Sequence, residues 1–260
     1  MVTIAVTAER DGEPRVAVSP ETVKKLTAMG VQVRVQQGAG AGSRFSNELL
    51  AAQGAEIAPT AGATLDGADV LLKVRRPAPD EVKGLKSGAI VAAMLSPYDD
   101  RAGLEALAGT GAVLMAMEFM PRISRAQSMD VLSSQANLAG YKAVIDAAAM
   151  FGQALPMMMT AAGTVPAAKT FIMGVGVAGL QAIAPARRLG AVVSATDVRP
   201  ATKEQVASLG AKFIAVEDEE FKQAQTAAGY AKPMSAEYQK KQAELVASHI
   251  KGQTSSSPRH

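Results

Sequence analysis

Cysteine is absent from the 260 residues. That removes disulfides, thiolate nucleophiles and Cys-ligated zinc or iron–sulfur sites. Histidine is scarce: His249 and His260 are the only two, both in the last twelve residues. A His-based triad, a His-rich metal site and a His proton shuttle are thereby disfavoured, and no metal site is expected. Any chemistry must rest on carboxylates, Lys, Arg, Tyr, or a cofactor that carries the reaction itself. Tryptophan is missing and aromatics reach only 4%, so Ala, Val, Leu and 13 Met must fill the core. Long runs of one charge are also missing. The 27 Lys and Arg against 24 Asp and Glu leave a net charge of +3 spread along the chain. This argues against nucleic-acid binding and against a polybasic membrane arm. Residues 1–10 lack a basic start and a long apolar core, so no signal peptide is read and a cytoplasmic setting is expected. Residues 147–168 carry no charge. Gly152, Pro156, Gly163 and Pro166 within them suit a buried helix followed by a turn better than a membrane span.

What remains is an ordinary globular balance, 48% apolar and 20% charged, in a length that suits one large or two modest domains. Residues 3–7, 31–35, 69–74, 89–93 and 112–116 read as strands. Ser19, Pro20 and Glu21 read as cap, first turn and dipole-friendly acid of a helix that ends at Gly30. Residues 79–85 and 100–108 look helical. The cluster from Gly38 to Gly42 reads as a tight connection. Residues 129–153 form a long Ala-rich helical stretch interrupted by Gly140, and Met157, Met158 and Met159 read as flexible core filler. A second alternating unit follows: strand 170–173, helix 177–189, strand 191–196, helix 200–209 ended by Gly210, and strand 212–216. A polar loop, 217–234, then leads to a helix capped by Ser235 and running to about residue 250. Residues 251–260, rich in Ser, Pro and Gly, read as a disordered tail. Strands alternating with helices predict an α/β fold. The expected architecture is two Rossmann-like, doubly wound parallel-sheet domains, 1–128 and 129–250, with a cleft between them and the second incomplete.

The motif with chemical content is Gly174-Val175-Gly176-Val177-Ala178-Gly179. It follows a strand and opens a helix, and the next strand ends in Asp197, eighteen residues beyond Gly179. That is the context a dinucleotide fingerprint requires. Gly174 permits the tight turn, Gly176 lets backbone approach a pyrophosphate, and Gly179 lets the helix pack close to the sheet. Asp197 can accept hydrogen bonds from the adenosine ribose, and its carboxylate would repel a 2′-phosphate. NAD(H) is therefore favoured over NADP(H), a preference that the nearby Arg199 softens.

Three segments together carry a resemblance. Phe119-Met120-Pro121-Arg122-Ile123-Ser124-Arg125-Ala126-Gln127-Ser128-Met129-Asp130, the 174–179 loop and Asp197-Val198-Arg199-Pro200 resemble the NAD(H)-binding domain of proton-translocating NAD(P) transhydrogenases. Glu13-Pro14-Arg15-Val16-Ala17-Val18-Ser19-Pro20 resembles a start shared with alanine dehydrogenases. The likeness covers about residues 1 to 250. It implies direct hydride transfer between NAD(H) held here and NADP(H) on a partner domain, coupled to proton movement through a membrane domain. It further implies a homodimer, peripheral to the inner membrane through its partner subunits. Carried over position by position, Arg122, Gln127, Asp130 and Ser133 form the catalytic set at the nicotinamide end. Ile123, Ser124, Ser128 and Met129 adjoin it. Gly174, Val175, Gly176, Val177 and Gly179 lie along the pyrophosphate, and Asp197, Val198 and Arg199 surround the adenosine ribose. Gly229 and Tyr230 belong to a mobile loop that closes over the nucleotide.

Two features depart from the family pattern. Pro185 falls inside the helix after the Gly loop, where it should clash with the carbonyl of Gln181. Family members also continue past the His249 region with further α/β units, so the tail is expected to mark a truncation that leaves three strands and half a crevice. A truncated, non-catalytic remnant or partner-binding module is the alternative expectation. A third reading is an alanine dehydrogenase, with Arg15 and Lys73 as carboxylate binders. Against it, Met94-Leu95-Ser96-Pro97 lacks the His those enzymes place after the fourth strand.

Overall fold

Thr3–Val6 (β1) is buried along its whole length, as a strand in the middle of a parallel sheet must be. It opens the first of two units, Met1–Val131 and Leu132–His260, in a computed structural model that describes residues 1–121, 123–226 and 231–253. Pro20–Ala28 (α1) begins where the sequence predicts: the Ser19 hydroxyl accepts the Thr22 N–H at 3.2 Å. Then come Gln32–Gln36 (β2), Asn47–Ala51 (α2), Glu56–Ala58 (β3), Ala61–Leu65 (α3) and Val70–Arg75 (β4). Ile90–Met94 (β5), Arg101–Ala108 (α4) and Val113–Ala116 (β6) complete the unit. The six strands are parallel in the order β3-β2-β1-β4-β5-β6. That is a doubly wound sheet whose order reverses between β1 and β4. Alternation along β1 builds the two covered faces. Ile4 and Val6 join Val23, Val33, Val35 and Leu50 in one cluster, while Ala5 joins Leu71, Val91 and Leu107 in the other.

The stretch 79–85 is not a full helix. It makes one 3₁₀ turn, Pro79–Val82, because the Glu81 carboxylate turns back to the Ala78 N–H at 2.9 Å. Three short elements, α2, β3 and α3, are too brief to leave a periodicity in the sequence.

The second unit takes in Val131–Met150 (α5) almost entirely, then Met158–Thr160 (β7), Gly163–Val165 (β8), Lys169–Met173 (β9), Val177–Arg188 (α6) and Val192–Thr196 (β10). Thr202–Ser208 (α7), Lys212–Phe213 (β11), Glu219–Lys222 (α8) and Ala236–Lys251 (α9) follow. Its sheet is parallel in the order β11-β10-β9. Val175, Ile183, Val193, Ala195 and Val206 form its core.

Three expectations need correction here. Met157, Met158 and Met159 are not core filler; they are 59%, 50% and 75% exposed. Leu155 packs on the core, and the Ala168 N–H returns to the Leu155 carbonyl at 2.9 Å. The residues between them leave the body as the antiparallel β7–β8 hairpin, exposed at every strand position. The 147–168 segment therefore does not start in a buried helix: Gly140 is the buried residue of α5, and Met150 is 87% exposed. The polar 217–234 stretch contains a helical turn, α8, capped by the Asp218 carboxylate on the Phe221 N–H. The helix expected over 177–189 is present, and Pro185 lies buried inside α6, which runs on to Arg188. No helix of the described residues is long and apolar enough to cross a membrane.

Candidate functional site

β9 ends at Met173, and Gly174 turns the chain at φ +88°, a conformation L side chains rarely adopt. Its N–H reaches across to the Thr196 carbonyl at 2.9 Å, which ties the loop to the end of β10. Val175 is buried as an anchor. Gly176 is the N-cap of α6, and no side chain caps that first turn. A Cβ at Gly176 would meet nothing within 4 Å. A Cβ at Gly179 would lie 1.9 Å from the Gly174 carbonyl oxygen. One glycine therefore leaves open space in front of the helix terminus, and the other is required by the packing behind it. The uncapped N–H groups and the positive end of α6 make this a seat for an anion. Gly140 belongs to the same construction. A Cβ there would come within 2.0 Å of the Ala178 carbonyl, so α5 crosses the first turn of α6 at backbone contact. In the sequence Gly140 stands out only as an interruption; the signal was a lone glycine in an Ala-rich helix.

Asp197 closes the other side. Its Oδ2 accepts the Val175 N–H at 2.7 Å, and its Oδ1 accepts the Arg199 N–H at 2.9 Å. The Arg199 guanidinium adds Nε to Oδ1 and Nη2 to Oδ2, each at 2.9 Å. Nη2 also donates to the Val175 carbonyl at 3.0 Å. Burial works against the charge on Asp197, but Arg199 and the two backbone N–H groups outweigh it and hold the pKa below the usual carboxylate value. Beside Asp197 and Val198 lies an apolar groove of about 570 Å³, lined in part by Met173, Met234, Val246 and Ile250. α9 forms its wall. The Gln242 amide donates to Thr196 Oγ1 at 3.0 Å and accepts the Val216 N–H at 2.9 Å, and the Tyr238 hydroxyl donates to the Val216 carbonyl at 3.1 Å. Burial, then Asp218, Glu220 and Glu217, push the Tyr238 phenol up to about 12. Sequence reasoning missed Tyr238 and Gln242. Their i, i+4 spacing on a capped helix was the available signal.

The loop, Asp197, Val198 and Arg199 are thus brought together. Ile123, Ser124, Gln127, Ser128 and Met129 lie instead in a 3₁₀ stretch of the first unit, Ser124–Met129 with its cap Ile123. All five are exposed and Ala126 alone anchors the stretch in the core. The Asp130 N–H closes it on the Gln127 carbonyl at 3.3 Å, and Ser133 follows, half-buried in the first turn of α5. Arg122, Gly229 and Tyr230 lie outside the described residues. In the first unit Lys73 does not present itself to a ligand. Its ammonium donates to Glu81 Oε1 at 3.0 Å and to the Ala8 carbonyl at 3.1 Å, with Glu9 Oε2 at 3.8 Å. Arg15 pairs with Glu13 at 2.7 Å. After β5, the Leu95 and Ser96 N–H groups are both taken by the Glu118 carboxylate.

Comparison with known proteins gives a consistent picture. Residues 5–139 match the alanine dehydrogenase/PNT N-terminal domain, and residues 143–254 match the alanine dehydrogenase/PNT C-terminal domain. The chain is 59% identical over 249 residues to the first part of NAD(P) transhydrogenase subunit alpha of Rhodospirillum rubrum, covering 94% of this chain and 65% of that protein. It thus spans just under two thirds of that relative. The crystal structure of transhydrogenase from Sinorhizobium meliloti matches with TM-score 0.85 and 59% identity, over 96% of this chain and 67% of that one. An L-alanine dehydrogenase shares the fold at TM-score 0.72 and 24% identity, over 83% of this chain and 61% of its own.

Proposed function

The chain belongs to the alanine dehydrogenase/PNT family, and from that premise we propose that it is the NAD(H)-binding component of a proton-translocating NAD(P) transhydrogenase. The observation that carries this reading is the uncapped N-terminus of α6, open at Gly176 and faced by the Asp197 carboxylate. The donor set fits a dinucleotide: N–H groups and a helix dipole for the pyrophosphate, a carboxylate for the ribose, an apolar groove for adenine. Asp197 takes the ribose hydroxyls and repels a 2′-phosphate, which selects NAD(H). Gln127, Asp130 and Ser133, with Arg122, hold the nicotinamide end, flanked by Ile123, Ser124, Ser128 and Met129. Gly229 and Tyr230 belong to the segment that closes over the nucleotide. When bound, the nicotinamide would supply a hydride for NADP+ held on a partner domain. The residues of this chain then act by positioning and by excluding water, with effective molarities of order 10⁵ M or more available from alignment alone. No general base is needed, which suits a body without Cys and with so little His.

The NADP(H)-binding domain and the membrane domain are the proposed partners, with proton movement through the latter. The chain itself is proposed to form a homodimer at the inner-membrane surface. The alanine dehydrogenase reading loses support from Lys73, whose charge is already met by Glu81 and Glu9. The direct test is titration of the purified chain with NADH by calorimetry, with thermal melting beside it. Saturable one-site binding that raises the melting temperature is expected. A cooperative melt without NADH binding would sink the assignment.

A further inference from the structure

An ionised carboxylate offers about four acceptor positions on its two oxygens, and at Asp197 all four are taken. Oδ1 receives the Arg199 N–H and Nε, and Oδ2 receives the Val175 N–H and Arg199 Nη2. Two of these donors are backbone groups, held by the strand end and the Gly loop. The other two belong to one guanidinium, and a rotation of one side chain removes both. That side chain is about a quarter exposed, against 8% for its partner, so it has solvent to swing into. A ribose diol carries two O–H donors. Placed at Asp197, it would need the two positions the guanidinium holds.

We propose that Arg199 is a displaceable latch on Asp197, a positioning and specificity residue that must release the carboxylate before the adenosine ribose can dock. The inference rests on the reading of this site as an NAD(H) site. Exchange of guanidinium for diol conserves the number of hydrogen bonds at Asp197 but gives up an ion pair, so the latch opposes NAD(H) binding. For a nucleotide with a 2′-phosphate the sign reverses. The phosphate cannot donate to Asp197 and is repelled by it, while the released guanidinium is a bidentate partner for it. Arg199 therefore weakens NADH binding and blunts the discrimination against NADPH at the same time.

The test compares the full chain with Arg199→Ala and Arg199→Lys. Calorimetry with NADH and with NADPH is run beside thermal melting, and the nitrogen-15 resonance of Arg199 Nε is followed by NMR in the unaltered protein. Arg199→Ala is expected to melt normally, to bind NADH about three- to fivefold more tightly, the upper end of the range for ion pairs near the surface, and to bind NADPH more weakly. Arg199→Lys, charged but unable to make the fork, should fall between for NADH and retain NADPH binding. NADH should shift the Arg199 Nε resonance as the pair opens. If the unaltered chain binds NADH while Arg199→Ala binds it equally or more weakly and the Nε resonance stays in place, the latch is overturned and the site reading stands. If the unaltered chain melts cooperatively and binds no NADH, the site reading itself is wrong and the latch goes with it.

Discussion

Two glycines three residues apart do opposite jobs. A methyl group at Gly176 points into open space, and one at Gly179 strikes the Gly174 carbonyl oxygen at 1.9 Å. Gly176→Ala should therefore leave the melting temperature unchanged while NADH binding falls by tenfold or more (about 1.4 kcal/mol or more), because the methyl occupies the space a phosphate needs. Gly179→Ala should lower stability by about 1–3 kcal/mol, the usual cost of forcing atoms into a packed site, and lose binding as a consequence. Melting and calorimetry on the pair separate the two roles. In the first unit, Glu13 is a second residue whose effect has a definite sign. The Arg15 guanidinium, opposed by burial and joined by the Arg15 N–H and Arg75, lowers its pKa from 4.5 to about 2. A depressed carboxyl stabilises the fold fully above the unfolded value and loses that contribution as pH falls through the folded one. Acid unfolding of the first unit should steepen between pH 4.5 and about 2, and Glu13→Gln should flatten that limb in a pH series of denaturant melts. At this scale the sequence was legible where chemistry follows residue type and spacing: the Gly loop and Asp197 lie where the motif puts them. It named Arg199 beside Asp197 but was silent on the fork between them, because which way a long side chain folds back is decided by neighbours that only the tertiary structure supplies.

The elements were legible in proportion to their length and their punctuation. α9 starts one residue past Ser235, whose hydroxyl accepts the Tyr238 N–H at 3.1 Å, and ends beside Gly252. β1, β2, β4, β5 and β6 fall within a residue or two of the apolar runs. The Met157–Met159 stretch misled because apolar character alone does not say whether a segment stays in the core; Pro156 and the Leu155–Ala168 closure take it out. α9 also carries an ionisable group. The His249 imidazole meets Ser194 Oγ at 2.7 Å and packs its ring edge-on to Phe171 at 4.8 Å between centroids. Burial foremost, then Lys212 and Lys169, lower its pKa from 6.5. The unfolded chain thus binds the proton more readily, so stability is complete above pH 6.5 and declines as pH falls below it. The stability of the second unit measured from pH 7 down to about 5, the range in which an ordinary His titrates, should drop. His249→Gln should remove the part of that drop above the carboxylate range. An unaltered slope in the variant would mean that the imidazole keeps its ordinary pKa in the fold.

For the chain as a whole, the two units have their own sheets and their own cores, and the Gly loop and Asp197 lie in the second. NADH should therefore raise the apparent stability by the mass-action amount, about 2.7 kcal/mol at a hundred times its Kd. It should slow amide exchange at 174–180 and 196–199 while leaving β1 to β6 unchanged. Slowing of β1 to β6 as strong as that at the Gly loop would contradict a nucleotide held at the α6 terminus. By itself the sequence determined the fold class, the alternation of strand and helix, the dinucleotide motif and the chemistries that missing Cys and scarce His disfavour. Each of these depends on local pattern or on residue inventory, which a linear reading preserves. The tertiary structure alone decided the strand order, the backbone contact that makes Gly140 obligatory, the exposure of the hairpin methionines and the closed Asp197–Arg199 pair. Those depend on which residues distant in the chain become neighbours, and no single segment encodes that.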